Sequence, residues 1–190
     1  MLKITEPDGI YFVTFTTVQW IDLFTRREYK NILAESLRYC QEHKGLLIHA
    51  FVFMTNHLHL IISRTPDGAA LSDIIRDFKK FTSRRLVQAV KELPESRREW
   101  LLWLFSRAGE HNPNNTQYQV WQQDNHPVEL RTLKFIRQKL NYIHDNPVKE
   151  GLVFSSAEYV YSSASVYFGL PQECPLEVVP LDFQDGFLSP

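Results

Sequence analysis

The run His57-Leu58-His59-Leu60-Ile61-Ile62 decides the fold. In an extended chain successive side chains alternate between faces, so Leu58, Leu60 and Ile62 share one side and His57 and His59 the other. An apolar strand face must be covered by a second layer. Helices are therefore expected over the leucine side, with both imidazoles projecting from the opposite, open face. Residues 46–54 form a second strand-like run, joined to this one by Thr55-Asn56 as a tight hairpin turn. Further upstream, residues 26–43 place Tyr29, Ile32, Leu33, Leu37 and Cys40 at the helical period, and Gly45 stops the helix. Residues 11–17 (YFVTFTT) are rich in β-branched and aromatic side chains and read as a first strand.

Downstream, Pro66-Asp67-Gly68 breaks the pattern, and residues 71–92 carry the stripe Leu71, Ile74, Ile75, Phe78, Thr82, Leu86 and Ala89 of a second helix. Pro94 interrupts it. Residues 95–107 suggest an additional helix, 110–116 a polar loop and 118–122 a fourth strand. A last helix is expected from about Glu129 to near Pro147, because the residue before a proline is pushed out of the α region. Without the additional helix, the order up to the fourth strand is β-α-β-β-α-β. That order makes the chain an α+β protein with the ferredoxin-like split βαβ arrangement: an antiparallel sheet with two helices on one face. The last helix is an addition to it and must lie on an edge or on the open face. Residues 1–169 are expected as one domain with an insertion at about 94–116, and 170–190 as an irregular, acidic, proline-containing tail.

Composition agrees with a single ordinary domain. The chain has 190 residues, 44% hydrophobic and 13% aromatic, which excludes disorder as the main state. No apolar run approaches the roughly 20 residues that span a bilayer, and the first ten residues lack a signal-peptide hydrophobic region. Cys40 and Cys174 suggest neither a disulfide framework nor a thiolate metal site. A cytoplasmic protein without membrane association is expected. The net charge of −1 hides an asymmetry: all 21 Lys and Arg lie in residues 1–150, and five acids without a base lie in 151–190. A mildly basic body permits a polyanionic partner.

Three features carry candidate chemistry. At about 3.3 Å per residue, the Cα atoms of His57 and His59 lie roughly 6.6 Å apart, close enough for two nitrogens to converge on one metal ion. The same pair also fits two half-buried histidines with ordinary hydrogen bonds. A structural zinc site would need four N or S ligands, whereas two imidazoles leave positions open for an ion that also binds a phosphate oxygen. On the last helix, Leu133, Ile136, Leu140 and Ile143 form the core stripe. Tyr142 lies roughly 100–180° away from them, and Asn146 sits one turn along on its side. A surface tyrosine laying its ring on the protein would look the same. Arg76, Lys80 and Arg84 recur every four residues on the second helix, either as a solvated face or as a track for a nucleic-acid backbone.

Two longer segments resemble a known family. Phe53-Met54-Thr55-Asn56-His57-Leu58-His59-Leu60 is similar to the Met-x-Asn-His-U-His segment of the HUH single-strand transposases, U being hydrophobic. The segment from Tyr142 through Ile143-His144-Asp145-Asn146-Pro147-Val148 to Gly151-Leu152-Val153 resembles the signature of the REP-associated tyrosine transposases. Trp121-Gln122-Gln123-Asp124-Asn125-His126-Pro127 and Tyr161-Ser162-Ser163-Ala164 also look like family segments. The resemblance implies His57 and His59 as ligands of a divalent ion (Mg²⁺ or Mn²⁺) with Asn146 as a third, amide-type ligand. It implies Tyr142 as a nucleophile that forms a 5′-phosphotyrosine. The implied partner is single-stranded DNA carrying hairpins, such as repetitive extragenic palindromes, and the implied assembly a monomer or a homodimer. Two other readings keep the fold: an RRM-like module binding single strands without chemistry, and a metallohydrolase using a water nucleophile. The open-face residues of the histidine strand include no aromatic for the first, and the sequence places no carboxylate convincingly beside the histidines for the second.

Overall fold

The computed structural model describes residue 4 and residues 6–110, 117–123, 125 and 127–181. The elements run β1 (Tyr11–Thr16), α1 (Arg27–Lys44), β2 (Leu46–Phe53), β3 (His57–Arg64), α2 (Leu71–Glu92), α3 (Arg98–Glu110), β4 (Val128–Glu129), α4 (Leu133–Lys149) and α5 (Ala164–Tyr167). The sheet order is β2-β3-β1-β4 with every pair antiparallel, which is the ferredoxin-like topology. β2 and β3 are closed by the Thr55-Asn56 turn, where Met54 N–H donates to the His57 carbonyl at 2.8 Å.

The alternation in β3 divides the molecule into two cores. Leu58, Leu60 and Ile62 join Val13, Phe15, Leu33, Leu37, Ile74 and Phe78 under α1 and α2. On the other face Ile61 joins Phe12, Ala50 and Val52 with Ile136, Leu140 and Ile143 of α4. The helix that could have lain on an edge or on the open face therefore covers the open face. The insertion adds α3, whose Leu101, Leu104 and Phe105 extend the first core. Its entry is pinned by the buried Glu95, which accepts from Tyr29 Oη at 3.1 Å and pairs with Arg97 at 3.1 Å.

Three expectations need correction. The fourth strand is Val128–Glu129, not residues 118–122. Trp121 forms only one bridge, to Thr17, and its indole stacks on Phe24 and donates to Thr82 Oγ1 at 3.0 Å. Core packing thus outcompetes strand pairing there. The last helix begins at Leu133, after Thr132 caps it by accepting from Phe135 N–H, and Glu129 belongs to the sheet. The helix also runs through Pro147 to Lys149. It closes with Gly151 at φ +70°, Leu152 N–H donating to the Pro147 carbonyl and Gly151 N–H to the Val148 carbonyl. A proline this near the end removes only one helical bond, and the left-handed glycine takes up the last free carbonyls. Of the loop expected at 110–116, Glu110 ends α3, and residues 111–116, like those beyond 181, lie outside the described residues. Up to residue 181 the tail has no regular element beyond Gly169, yet Cys174 and Leu176 are buried in the first core, and Val179 N–H donates to the Ile48 carbonyl.

Two buried histidines hold these layers. His49 sits at the bulge in β2, with Nδ1 2.9 Å from the Val179 carbonyl and Nε2 2.8 Å from Ser63 Oγ. His144 Nε2 meets Ser163 Oγ at 2.9 Å. Burial lowers the pKa of both, that of His144 to about 4. Below pH 6.5 the unfolded chain binds more protons than the folded one, so their stabilisation is complete above about 6.5 and is lost as pH falls. Urea unfolding is expected to show constant stability above about pH 7. Below that, stability should fall, with His144 contributing up to about 1.4 kcal/mol per pH unit down to about pH 4, and His144→Gln should remove that share of the slope. Stability that stays flat down to pH 5 would contradict this account.

Candidate active site

Antiparallel register fixes the surroundings of each imidazole. Thr14 of β1 lies opposite His59 and Thr16 opposite His57. Thr14 Oγ1 is 2.8 Å from His59 Nδ1, and Phe12, on the same face two residues away, stacks on the His59 ring at 5.2 Å. His57 Nδ1 is 2.6 Å from Asn56 Oδ1. A carbonyl oxygen only accepts, so His57 carries its proton on Nδ1 and exposes a lone pair at Nε2. The two rings stand 4.6 Å apart. Among the described residues, His59 Nε2 is one of two buried side-chain nitrogen or oxygen atoms without a hydrogen-bond partner. Native proteins rarely leave such an atom unpaired, and beside a second imidazole it is the kind of atom that awaits a ligand.

Charge state favours the same use. Burial lowers the pKa of His57, opposed by the charge of Glu150. Burial, then the neighbouring His57 and the Lys139 ammonium, push that of His59 down to about 3. Both rings are therefore neutral at physiological pH, the form that binds a metal. Glu150 was not legible as a neighbour of the histidines from sequence; it comes near because α4 crosses this face.

α4 brings the tyrosine. Its apolar stripe seats on the open sheet face, and Ser163 ties it there: Ser163 N–H donates to the Phe51 carbonyl of β2, and Ser163 Oγ lies 2.9 Å from His144 Nε2 of α4. The Tyr142 ring lies 5.1 Å from that of His59, edge to face, and 40% of the residue remains exposed. Lys139, one turn earlier, sets its ammonium 4.5 Å over Phe12 and 5.5 Å over Tyr142. Asn146 is buried, and its amide nitrogen donates to the Tyr142 carbonyl at 3.1 Å, leaving Oδ1 as the acceptor atom. Among the described residues no group of three His, Cys, Asp or Glu could hold a metal. The structure thus brings His57, His59 and Tyr142 together and sets Asn146 one turn along.

The basic ridge is elsewhere. α2 packs on the leucine face, so Arg76, Lys80 and Arg84 are exposed on the layer opposite the histidines. Arg76 is moreover engaged by Asp73 and Asp77.

The sequence profile described as "Transposase IS200 like" matches residues 9–107. The chain belongs to the IS200-like transposase family. The matched residues include both histidines and end before Tyr142. A solved REP-associated tyrosine transposase bound to a REP hairpin shares the fold at a TM-score of 0.64 and 19% identity, covering 97% of this chain and 94% of that one. A transposase-like protein of Deinococcus radiodurans matches at a TM-score of 0.43 and 17% identity, over 76% of this chain and 95% of that one. No curated protein matches the sequence. Among the described residues of this transposase, no helix is long and apolar enough to cross a membrane.

Thr14 tests the described geometry without any assumption about ligands. Thr14→Val keeps the shape and removes the partner of His59 Nδ1. It should destabilise the fold by about 1–3 kcal/mol in urea titrations, the cost of a buried polar atom left unpaired. A variant as stable as wild type would mean that the Thr14–His59 bond contributes nothing.

Proposed function

We propose that this transposase cleaves and rejoins single-stranded DNA through a covalent tyrosine intermediate, with His57, His59 and Asn146 as the ligands of a divalent ion, Mg²⁺ or Mn²⁺. The observation that carries this reading is the buried, unpartnered Nε2 of His59, in a neutral ring 5.1 Å from the ring of Tyr142. Two imidazoles with an amide oxygen suit an ion that keeps open positions for substrate. When bound, such an ion polarises the scissile phosphate as a Lewis acid.

The chain's own groups account for the rest. Thr14 and Asn56 orient the imidazoles through their Nδ1 atoms. The phenol oxygen of Tyr142 attacks phosphorus as the bond to the 3′ oxygen breaks. The phenol proton leaves to solvent, and the departing oxygen gains one as a free 3′-OH. The resulting 5′-phosphotyrosine conserves the phosphodiester energy, so a second 3′-OH can reverse the step without a nucleotide cofactor. Packing on α4 sets the ring beside the site, which replaces a chance encounter by a positioned one. Lys139 offers positive charge beside the phosphate.

Hairpin-forming single strands are the favoured substrate class, supported by the hairpin bound to the structural neighbour. The α2 ridge, on the other layer, can hold only flanking DNA. An RRM-like reading is disfavoured because Phe12, the aromatic of the open face, is buried to 7% exposure in the core under α4.

Incubation with a labelled hairpin oligonucleotide and Mn²⁺ tests the proposal. Wild type should form a denaturant-resistant protein–DNA adduct. Tyr142→Phe should fold and bind the hairpin, yet form none. Tyr159, Tyr161 and Tyr167 should not substitute, since their hydroxyls are engaged with the Phe53 carbonyl, Asn31 and the His49 carbonyl. His57→Ala and His59→Ala should abolish cleavage and keep binding, and Asn146→Ala should reduce it less. An adduct formed by Tyr142→Phe at the wild-type rate overturns the assignment, and cleavage without any adduct points to a water nucleophile.

A further inference from the structure

Beside the histidines lies a segment that the chemistry above does not use. Val18–Trp20 forms a short 3-10 turn after β1. Among the described residues, Gln19 (φ 52°) and Trp20 (φ 55°) are the two residues other than glycine with positive φ. Left-handed backbone is rare for a bulky residue, and it persists only where surrounding structure enforces it. Here the enforcement is visible. Val18 and Ile21 are buried on either side, and Val18 N–H donates to the Val120 carbonyl at 2.8 Å. Thr17 Oγ1 donates toward the Ile21 carbonyl at 2.8 Å and the Asn56 carbonyl at 2.9 Å.

The turn forces a large apolar ring outward. Trp20 is 61% exposed, and its indole stands 6.3 Å from the His57 ring, edge to face. The same amide serves both: Asn56 Oδ1 holds His57 Nδ1, and Asn56 Nδ2 donates to the Trp20 carbonyl at 3.3 Å. Other exposed aromatics, such as Trp100 and Trp103, sit on the regular helix α3 without this strain. Folding alone would favour glycine at the position of Trp20. An indole there is best explained by something it meets from solvent, next to the imidazoles.

We propose that Trp20 is a stacking platform for an unpaired nucleobase of the DNA strand, beside the phosphate held at His57 and His59. The proposal rests on the reading of those histidines as the phosphate site. Even the roughly 3.4 Å axial rise of a stacked duplex strand is a lower bound on phosphate spacing, so a ring 6.3 Å from His57 lies within about two nucleotides of that phosphate. A flat indole stacks on any base, so it would hold the strand without reading its sequence.

The test is equilibrium binding, by fluorescence anisotropy, of a fluorescein-labelled DNA hairpin with mixed-sequence single-stranded flanks. Each flank nucleotide is made abasic in turn. Trp20→Ala should weaken binding about 5- to 100-fold, and Trp20→Phe much less. One or two adjacent abasic sites should weaken wild type by a similar factor and leave Trp20→Ala unaffected. The slope of affinity against salt should not change, since no charge is removed. Trp20→Gly should bind as poorly as Trp20→Ala while melting no lower than wild type, because glycine relaxes the left-handed backbone. A structural role alone would lower its melting temperature and couple to no abasic position. Unchanged affinity in Trp20→Ala, a loss that couples to no flank nucleotide, or no hairpin binding by wild type each overturns the proposal. Adduct formation on the same samples separates the two readings: an adduct without coupling defeats only the Trp20 platform, and coupling without an adduct defeats only the tyrosine chemistry.

Discussion

The alternation of β3 constrains everything around it. Burying Leu58, Leu60 and Ile62 under α1 and α2 obliges His57 and His59 to face the other way, because a one-residue slip would exchange the two sets. The apolar face contributes about 1.5–3 kcal/mol for each large side chain buried, so the face that the histidines take is set by their neighbours' burial, and Thr14 and Asn56 then fix the rings. The second face is then closed by α4, whose stripe covers Ile61 and Phe12 and sets Tyr142 at the edge of the imidazole pair. The larger core lies on one side of the sheet, and the reactive groups gather on the other, beside a smaller core under α4.

That division explains the electrostatics. A buried imidazole resists protonation, and His59 is further opposed by His57 and Lys139. The site therefore presents nitrogen lone pairs together with nearby positive charge, an environment suited to an anionic phosphate. The same burial, at His49 and His144, makes acid a threat to the fold.

Legibility in the sequence followed the range of each interaction. β3, its hairpin partner and both packing helices could be read because alternation and helical period are local. The off-core position of Tyr142, with Asn146 one turn on, was legible for the same reason. The fourth strand was not: Val128–Glu129 is too short to show a period, and the aromatic run at 118–122 that resembled a strand is claimed by the core through Trp121. Pro147 suggested a helix end that Gly151 actually provides. Thr14, Phe12 and Asn56 become neighbours of the histidines only once register is fixed, and no local pattern marks Trp20 or the approach of Glu150. The ridge on α2 was visible as a stripe, but only the layer order shows that it faces away from the histidines.

The central claim is that two imidazoles on the open face hold one ion beside Tyr142. Anomalous diffraction from crystals of the full chain soaked in Mn²⁺ tests it most directly. The account predicts one strong peak at a bonding distance of about 2.0–2.3 Å from Nε2 of both His57 and His59, with the Asn146 amide oxygen on the same ion. A peak at another group of ligands, with both Nε2 atoms left unliganded, would contradict it.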